Sequence, residues 1–458
     1  MSTIVKQAIE DLLKIQPDTN ACITIIEDPQ SPLPSDSPLF GWPIAVKDNF
    51  VTKGHLSTAG SKILSNHVGV YDATAVLKLK QAGCVVVAKT ALDELGMGGT
   101  GLTCFTGPVH NPHDVSRQAG GSSSGSAVVV AAGAVRMALG SDTGDSVRKP
   151  ASFCGIVGVK PTYGRISRYG VIPYASSLDH VGYFTTDVMD AALTLEALSG
   201  FDPHDPTTII EPLQPFASDL KGDLSGKKIG VFRNVIDHID NKDTLALFDQ
   251  LINNIKEKGA EVVDVFYDET LLVTALPTYY IIANCEATAN HANLTAVNFG
   301  LQQPGEDLES IMKASRTIGF NPTLRKRFVI GSYGLKDENQ ERIFKKAQRV
   351  RRRLVEELDH VLSDIDVLIA PASSSIAPKI EEEDIDKLSA KHLISENYMV
   401  LGNFSGYPSM TIPMGSIFGM PIGVNITTKA KSEALMFEVA LGLEKAINYK
   451  NNGKKVDL

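Results

Sequence analysis

Several features that mark particular classes of protein are scarce in this chain of 458 residues. Its longest apolar stretch, around Ala127–Val135, is far shorter than the ~20 residues that a helix needs to cross a bilayer. The 5 cysteines are widely spaced and form no CxxC pair, which argues against a disulfide framework and against a zinc site. The 38 glycines and 23 prolines follow no period, which excludes a collagen-like chain. We expect no membrane span and no bound metal.

The charge balance is negative, with 44 Lys and Arg against 53 Asp and Glu and a formal net charge of −9. That sign is wrong for a protein that holds nucleic acid over its whole surface, although a local basic patch stays open. Apolar residues at 43% and charged residues at 21% are ordinary for a globular protein. The segment Met1–Gln16 resembles neither a signal peptide nor an Arg-rich transit peptide.

Short β-branched runs alternate with patterns of helical period along most of the chain. Ile44–Val46 is followed by a helical pattern over Ala73–Ala82 and then by the apolar run Cys84–Val87. Such alternation predicts a layered α/β fold with a largely parallel or mixed sheet. Of the two we favour a mixed β-sheet core with helices on both faces. The polar segment Phe201–Gly226 is the best candidate for a domain boundary, but an excursion on one domain explains it equally well. We predict a single domain over residues 1–458, and the boundary stays open as the alternative.

Two short motifs match well-known patterns without the context that those patterns need. Gly96–Gly101 fits GxGxxG, but no strand ends directly before it, and no helix with a suitably placed acidic residue follows. Gly121–Gly125 fits the nucleophile elbow GxSxG, but the residues before it, Asn111–Gly120, are loop-like. Neither a dinucleotide site nor an α/β-hydrolase site is therefore expected.

A lysine and two serines are the strongest candidates for chemistry. Lys47 ends an apolar strand, where burial lowers the pKa of a lysine and lets it act as a base. Ser122 lies in GGSSSGSA and Ser146 in SDTGDSVRKP, each in a tight turn that presents a hydroxyl beside free backbone amides. A neutral lysine that acts through a second serine can activate a hydroxyl nucleophile without histidine. Taken alone, Lys47 would be interpreted as an ion-paired residue at a strand end.

The region around residues 117–182 resembles the signature region of the amidase-signature family, whose catalytic set is Ser–cis-Ser–Lys. The family lysine stands in a KDN context that matches Lys47, and the first serine of its GGSS matches Ser122. The serine that ends its glycine-rich turn matches Ser146. The resemblance implies that Ser146 is the nucleophile and that Lys47, relayed through Ser122, is the base. It also implies an oxyanion hole built from the backbone of Thr143, Gly144 and Asp145.

Within that family the stretch Val157–Gly182 is most similar to the A subunits of glutamyl-tRNA(Gln) amidotransferases, and the similarity covers nearly the whole chain. It implies a glutaminase that supplies ammonia to a partner B subunit, which converts Glu-tRNA(Gln) to Gln-tRNA(Gln) with ATP. A small third subunit is expected in the complex, and this chain itself is expected to bind no cofactor. The start of the chain is shorter than in bacterial subunits by about one helix. With the departures described next, this favours a fungal mitochondrial version; otherwise the protein would be cytoplasmic.

Three departures from the family pattern bear on the site. Asp145 replaces the second glycine of the TGGS turn, and we expect its carboxylate to point away from the pocket so that the N–H groups stay free. Asn293–Gly300 stands where bacterial subunits carry a segment with Arg and Asp. Glu396 stands where the family has the aspartate that holds the substrate ammonium.

Glutamine carries an α-carboxylate and an α-ammonium, so a selective pocket needs charges of both signs. The resemblance implies that Tyr279, Arg327 and Glu396 line this pocket, with Arg327 pairing with the carboxylate. The basic run Lys345–Arg353 lies on a predicted helix flanked by acids, and we favour a solvated helix face over a tRNA contact. Two other functions stay open: a stand-alone amidase for another amide, and an inactive structural subunit in which Asp145 has spoiled the oxyanion hole.

Overall fold

An eleven-stranded sheet forms the centre of the protein in the computed structural model, which describes residues 2–212, 214–381 and 389–447. Its strands are β1 Cys22–Ile25, β2 Pro43–Lys47, β3 Val85–Thr90, β4 Met137–Asp142, β5 Val157–Lys160, β6 His180–Thr185, β7 Lys228–Phe232, β8 Glu261–Val265, β9 Val367–Pro371, β10 Ser409–Ile417 and β11 Met420–Thr427.

The α-helices of the described residues are α1 Thr3–Thr19, α2 Thr74–Gln81, α3 Ser124–Ala131, α4 Arg148–Cys154, α5 Val188–Leu198, α6 Arg233–Ile236, α7 Lys242–Glu257, α8 Glu269–Leu272, α9 Ala275–Asn290, α10 Leu308–Gly319, α11 Pro322–Leu335, α12 Asp337–Gln340, α13 Lys346–Val361, α14 Ala390–Ser395, α15 Leu401–Ser405 and α16 Glu433–Ala446. A π-helical turn, Glu341–Lys345, joins α12 to α13. None of the described helices is long and apolar enough to span a bilayer.

The sheet is mixed, and its strand order is β1-β3-β2-β4-β6-β5-β10-β11-β9-β7-β8. Strand β2 is parallel to β3 and β4, whereas β4, β6, β5, β10, β11 and β9 pair antiparallel in turn. Strand β7 is parallel to both β9 and β8. Strands from before and after residues 201–226 lie in this one sheet.

Alternate residues of the central strands pack against different layers of helices. In β2, Ile44 and Val46 belong to the apolar cluster that includes α5 and α16, whereas Ala45 faces the cluster of α1 and α3. In β9, Ile369 and Leu368 likewise belong to separate clusters. This two-residue period is expected when a sheet is covered on both faces. The predicted α/β class, a mixed sheet with helices on both faces, is confirmed.

Candidate active site

Lys47 is the last residue of β2, and its side chain is completely buried. Its ammonium nitrogen Nζ lies 2.9 Å from Ser122 Oγ and 2.8 Å from Ser123 Oγ. It also lies 2.9 Å from Ser141 Oγ, near the end of the neighbouring strand β4. We call Lys47, Ser122, Ser123 and Ser141 the lysine cluster. The cluster joins the edge of the sheet to the turn that precedes α3.

Burial lowers the pKa of Lys47 to about 7, because the cation loses its hydration. The negative charges of Asp93, Asp142 and Asp179 oppose this shift but do not cancel it. No carboxylate of the described residues forms an ion pair with Lys47 within 4 Å. A large fraction of the lysine is therefore neutral near pH 7, so its nitrogen can accept a proton.

The three serine hydroxyls of the lysine cluster differ in their other partners. Ser123 Oγ donates to the carbonyl oxygen of Ser141 at 3.0 Å, so its proton is already engaged. Ser141 Oγ accepts a second hydrogen bond from Asn49 Nδ2 at 3.1 Å. Among the described residues, Ser122 Oγ has only Lys47 as a partner. Ser122 is therefore the hydroxyl that is free to pass a proton between Lys47 and a neighbouring group.

The turn that carries Ser122 is held by close packing against Asp93. The peptide bond between Gly121 and Ser122 is cis. A Cβ atom at Gly121 would stand 2.0 Å from Asp93 Oδ2, so no larger residue fits there. The Asp93 carboxylate also accepts hydrogen bonds from the backbone of Gly101 and Thr103, at 3.0 and 3.2 Å. The glycine-rich segment Gly96–Gly101 thus wraps a carboxylate of the chain itself.

The turn after β4 is fixed by a buried ion pair between Asp142 and Arg148. Arg148 Nη2 lies 2.9 Å from Asp142 Oδ1 and also donates to the carbonyl oxygen of Gly144 at 2.7 Å. Although burial alone would raise the pKa of Asp142, the charge and hydrogen bonds of Arg148 hold it well below the usual range. Asn403 donates to the same carboxylate at 2.9 Å. These contacts set the path of the backbone that leads to Ser146.

The predicted oxyanion residues Thr143, Gly144 and Asp145 lie in this turn, directly before the buried Ser146. No hydrogen bond within the described part of the chain uses the backbone N–H groups of these four residues as donors. Because Arg148 holds the carbonyl of Gly144, the N–H of the same peptide group, on Asp145, points the opposite way. The turn therefore offers unpaired N–H donors beside a hydroxyl, as an oxyanion hole requires.

The two serine turns contact each other directly. The N–H of Ser123 donates to the carbonyl oxygen of Ser146 at 3.2 Å, which links the start of α3 to the turn after β4. Thr143 Oγ1 donates to Asp179 at 2.7 Å, and Asp179 also accepts from the N–H of Tyr174 at 2.8 Å. The structure thus brings the three predicted catalytic residues into adjoining segments, although their separations in sequence are large.

Tyr279 and Arg327 approach this site from two helices, α9 and α11. A Cβ atom at Gly144 would lie 3.1 Å from the Tyr279 ring, so the tyrosine covers the turn. Tyr279 packs edge-on against the ring of Tyr174 at 6.4 Å, and Arg327 Nη1 donates to Tyr174 Oη at 3.1 Å. We call Tyr174, Tyr279 and Arg327 the tyrosine–arginine group. No carboxylate among the described residues pairs with Arg327, which leaves this half-buried cation available to an anionic ligand.

Glu396 lies just after α14, and its carboxylate is engaged on both oxygens. Oε2 is 2.7 Å from Lys149 Nζ, and Oε1 accepts from the backbone N–H of Ser374 at 2.8 Å. Burial favours the neutral form, but the Lys149 cation and these hydrogen bonds lower the pKa of Glu396 to about 2. Glu396 is therefore an ionised partner of Lys149.

Several residues of the site were missed by the sequence analysis because no motif marks them. Ser123 and Ser141 complete the lysine cluster, Tyr174 joins Tyr279 to Arg327, and Lys149 pairs with Glu396. Only Ser123 had a visible signal, as the second serine of the run Ser122–Ser124. The others are ordinary polar residues until the fold brings them together.

The remaining candidates lie away from the lysine cluster. Leu301, at the end of the departure segment Asn293–Gly300, donates its N–H to the carbonyl oxygen of Ile63 at 2.7 Å. The basic run Lys345–Arg353 is mostly exposed, and Glu341 and Glu356 form ion pairs with Lys345 and with three of its arginines. The described residues contain no group of three or more metal-ligating side chains.

Known proteins are similar to this chain over nearly its whole length. The family described as Amidase matches residues 4–437. The A subunit of the glutamyl-tRNA(Gln) amidotransferase of Koribacter versatilis is 40% identical over 411 residues, which are 89% of this chain and 85% of that protein. The A subunit of the same enzyme from Thermotoga maritima is 37% identical over 446 residues, which are 97% of this chain and 92% of that protein.

Solved structures share the fold. The crystal structure of the Thermotoga maritima A subunit has a TM-score of 0.83 and 35% identity, and the match covers 98% of this chain and 92% of that one. The native peptide amidase of Stenotrophomonas maltophilia has a TM-score of 0.82 and 27% identity, and the match covers 97% of this chain and 93% of that one.

Proposed function

Since this chain belongs to the amidase family, we propose that it is the glutamine-hydrolysing subunit of a glutamyl-tRNA(Gln) amidotransferase. The relatives that carry that name are about 40% identical and extend over most of the chain. The observation that carries the proposal is the buried Lys47, with a pKa near neutrality, in contact with the otherwise unpaired hydroxyl of Ser122. This arrangement also favours an active enzyme over an inactive structural subunit.

The proposed reaction begins when Ser146 Oγ attacks the carbon of the glutamine side-chain amide. Lys47 accepts the serine proton through Ser122, and the unpaired N–H groups of the turn Thr143–Ser146 stabilise the negative oxygen of the tetrahedral intermediate. The carbon–nitrogen bond breaks as Lys47 returns a proton, again through Ser122, to the leaving ammonia. A water molecule then hydrolyses the γ-glutamyl ester, which releases glutamate and restores Ser146.

Binding of glutamine uses the half-buried Arg327 for the α-carboxylate in this proposal. A guanidinium that lacks an acidic partner can form two parallel hydrogen bonds with a carboxylate, which fixes the position of the substrate as well as its charge. Tyr279 lies over the turn that contains Gly144 and would limit the space beside the reacting amide. These two contacts together would select for the carboxylate and for the size of the substrate.

The ammonia is proposed to pass to a partner B subunit, which would use ATP to activate Glu-tRNA(Gln) and form Gln-tRNA(Gln). ATP chemistry and most tRNA contacts would then belong to that partner, and a small third subunit would complete the complex. A mitochondrial location, which rests on the resemblance alone, is part of the same proposal. Microscopy of a fluorescent fusion checks the location, and purification from native cells identifies the partners.

The test of function is Ser146→Ala in the complex assembled with its partners. The variant removes only the nucleophile, so glutamine-dependent transamidation should fall by about 10⁴-fold or more. Transamidation with added ammonium chloride should persist, because the partner receives ammonia directly. Loss of both activities in an assembled complex would contradict the proposal. If the purified chain has no partner and hydrolyses other amides, it is instead a stand-alone amidase.

A further inference from the structure

The pairing of Glu396 with Lys149 leaves open which group receives the positive charge of the substrate. Both oxygens of Glu396 have partners, Lys149 on one side and the backbone of Ser374 on the other. Lys149 is itself buried and forms no other ion pair in the described part of the chain. The two charges therefore neutralise each other, and breaking a buried pair of this kind is costly.

Asp145 differs from Glu396 because its carboxylate has no direct partner. No hydrogen bond and no ion pair of the described residues involves its side-chain oxygens, and the residue is half-buried beside Ser146. Burial raises the pKa of Asp145 to about 6, and the nearby charge of Lys149 opposes that shift. An unpaired carboxylate in such surroundings stays charged near pH 7 and lacks a counterion.

The electric field of Asp145 reaches other groups that line the site. Burial raises the pKa of Tyr279, whose ring covers Gly144, and the negative charge of Asp145 adds to that rise. It also interacts with Glu396, whose like charge helps to raise the pKa of Asp145. Asp145 stands between Gly144, which the ring of Tyr279 covers, and the buried Ser146, so the residue belongs to the turn that borders the site.

The charged groups around the pocket differ in whether they already have a partner. Lys149 and Glu396 cancel, and Asp179 is held by hydrogen bonds from Thr143 and the backbone of Tyr174. Among the described residues of the site this leaves Asp145 as the carboxylate without a direct partner and Arg327 as the cation without an acidic partner, with Tyr279 over the adjoining Gly144. An amino acid needs such a pair, because its α-ammonium and α-carboxylate must each meet an opposite charge. Resting on the proposed function, we infer that Asp145 binds the α-ammonium of glutamine and that Lys149 and Glu396 serve as its positioning pair.

The test compares two substrates in the assembled complex: glutamine and glutaramate, which has the same side-chain amide and carboxylate but no α-ammonium. The measured quantity is the ratio of kcat/KM for glutamine to kcat/KM for glutaramate. This ratio is internal to each protein sample, so a partly unfolded preparation does not change it. Asp145→Asn should lower the ratio by about 30-fold or more, the effect of removing one partner of a desolvated charge pair.

Three further variants complete the test. Asp145→Gly should lower the ratio as Asp145→Asn does, because both remove the carboxylate while they differ in shape. Asp145→Glu should restore a part of it. Glu341→Gln, which removes an exposed carboxylate next to α13, should leave it within about twofold of the wild type.

An unchanged ratio in Asp145→Asn would overturn the inference, and so would an equal collapse in Glu341→Gln. If the ratio collapses in Glu396→Gln but does not change in Asp145→Asn, the α-ammonium is bound by Glu396 and not by Asp145. If the wild-type complex hydrolyses neither substrate, the proposed function itself fails. The two failures are therefore distinguishable.

Discussion

The lysine cluster and the tyrosine–arginine group differ in how deeply they are buried and in whether their polar groups already have partners. Lys47 and the three serines around it are buried at the ends of strands and beside α3, and each hydroxyl contacts the lysine nitrogen. Tyr279 and Arg327 come from two helices and are only half-buried, and Arg327 lacks an anionic partner among the described residues. Proton transfer needs groups that are fixed in place and shielded from water. Recognition of a charged ligand needs a charged or polar group that has no partner until the ligand binds.

Removing the base of the lysine cluster should have the greatest effect. Lys47→Met should lower glutamine hydrolysis by about 10⁴-fold or more, because the serine hydroxyl stays a poor nucleophile without it. Ammonium-dependent transamidation should survive, as in Ser146→Ala. The free energy of unfolding should fall by about 1–3 kcal/mol, since buried serine hydroxyls lose a hydrogen-bond partner but no buried carboxylate loses its counterion. Glutaminase assays and chemical denaturation measure the two quantities.

Lys89 is the matched control, because it is an equally buried lysine on the adjacent strand β3. Its Nζ lies 3.0 Å from Asp48 and donates to the carbonyl oxygens of Phe50 and Leu56. Lys89→Met should therefore destabilise the fold by about 3–5 kcal/mol, since it leaves the Asp48 charge buried and unpaired. If Lys47→Met proves as destabilising as Lys89→Met, the lysine cluster is structural in the same sense.

The second prediction, with a smaller effect, tests the tyrosine–arginine group. Arg327→Ala should lower kcat/KM for glutamine by about 30-fold to several thousand-fold, because the substrate carboxylate loses its partner in a desolvated site. Most of this loss should appear in KM, which would separate recognition from the chemistry of the lysine cluster. Glutaramate should suffer equally, since it keeps the carboxylate.

The control for Arg327 is an arginine of similar chemistry in a different setting. Arg352 lies on the exposed face of α13 and pairs with Glu356 at 2.8 Å. Arg352→Ala should leave KM for glutamine within about twofold of the wild-type value, as expected for a surface ion pair. Wild-type kinetics in Arg327→Ala would mean that another group binds the carboxylate.

The mildest effect is a pH dependence that belongs to the lysine cluster alone. The active form of Lys47 is neutral and its pKa is about 7, so protonation at lower pH removes the base. Glutaramate is the substrate of choice here because it lacks the α-ammonium that Asp145 is proposed to bind. Its rate of hydrolysis should fall about fivefold from pH 7 to pH 6 and by ~10-fold from pH 6 to pH 5. Burial also raises the pKa of Glu94 to about 7, so the profile is measured in Glu94→Gln as well, to separate any contribution of Glu94 from that of Lys47. A profile that stays flat from pH 8 to pH 5 would contradict a lysine base.

Much of the fold could be predicted from local patterns. The alternation of short β-branched runs with helical periods predicted the α/β class, and the helical pattern over Ala73–Ala82 is α2, Thr74–Gln81. The helix predicted for the basic run Lys345–Arg353 is α13, except that Lys345 belongs to the π-helical turn before it. A hydrophobic pattern does not reveal where the backbone widens by one residue, because the side-chain period before and after the turn is the same.

Local motifs were enough to predict Lys47, Ser122 and Ser146 as candidates for chemistry, because each lies in a short segment that matches the family pattern, although Lys47 taken alone would be interpreted as ion-paired. What surrounds these residues follows from tertiary contacts alone. The contact of Glu396 with Lys149 joins residues 247 positions apart, and that of Arg327 with Tyr174 joins residues 153 apart. Whether a charge is paired depends on distance in space and on the water that folding removes, so no local pattern could assign the free charges of the pocket.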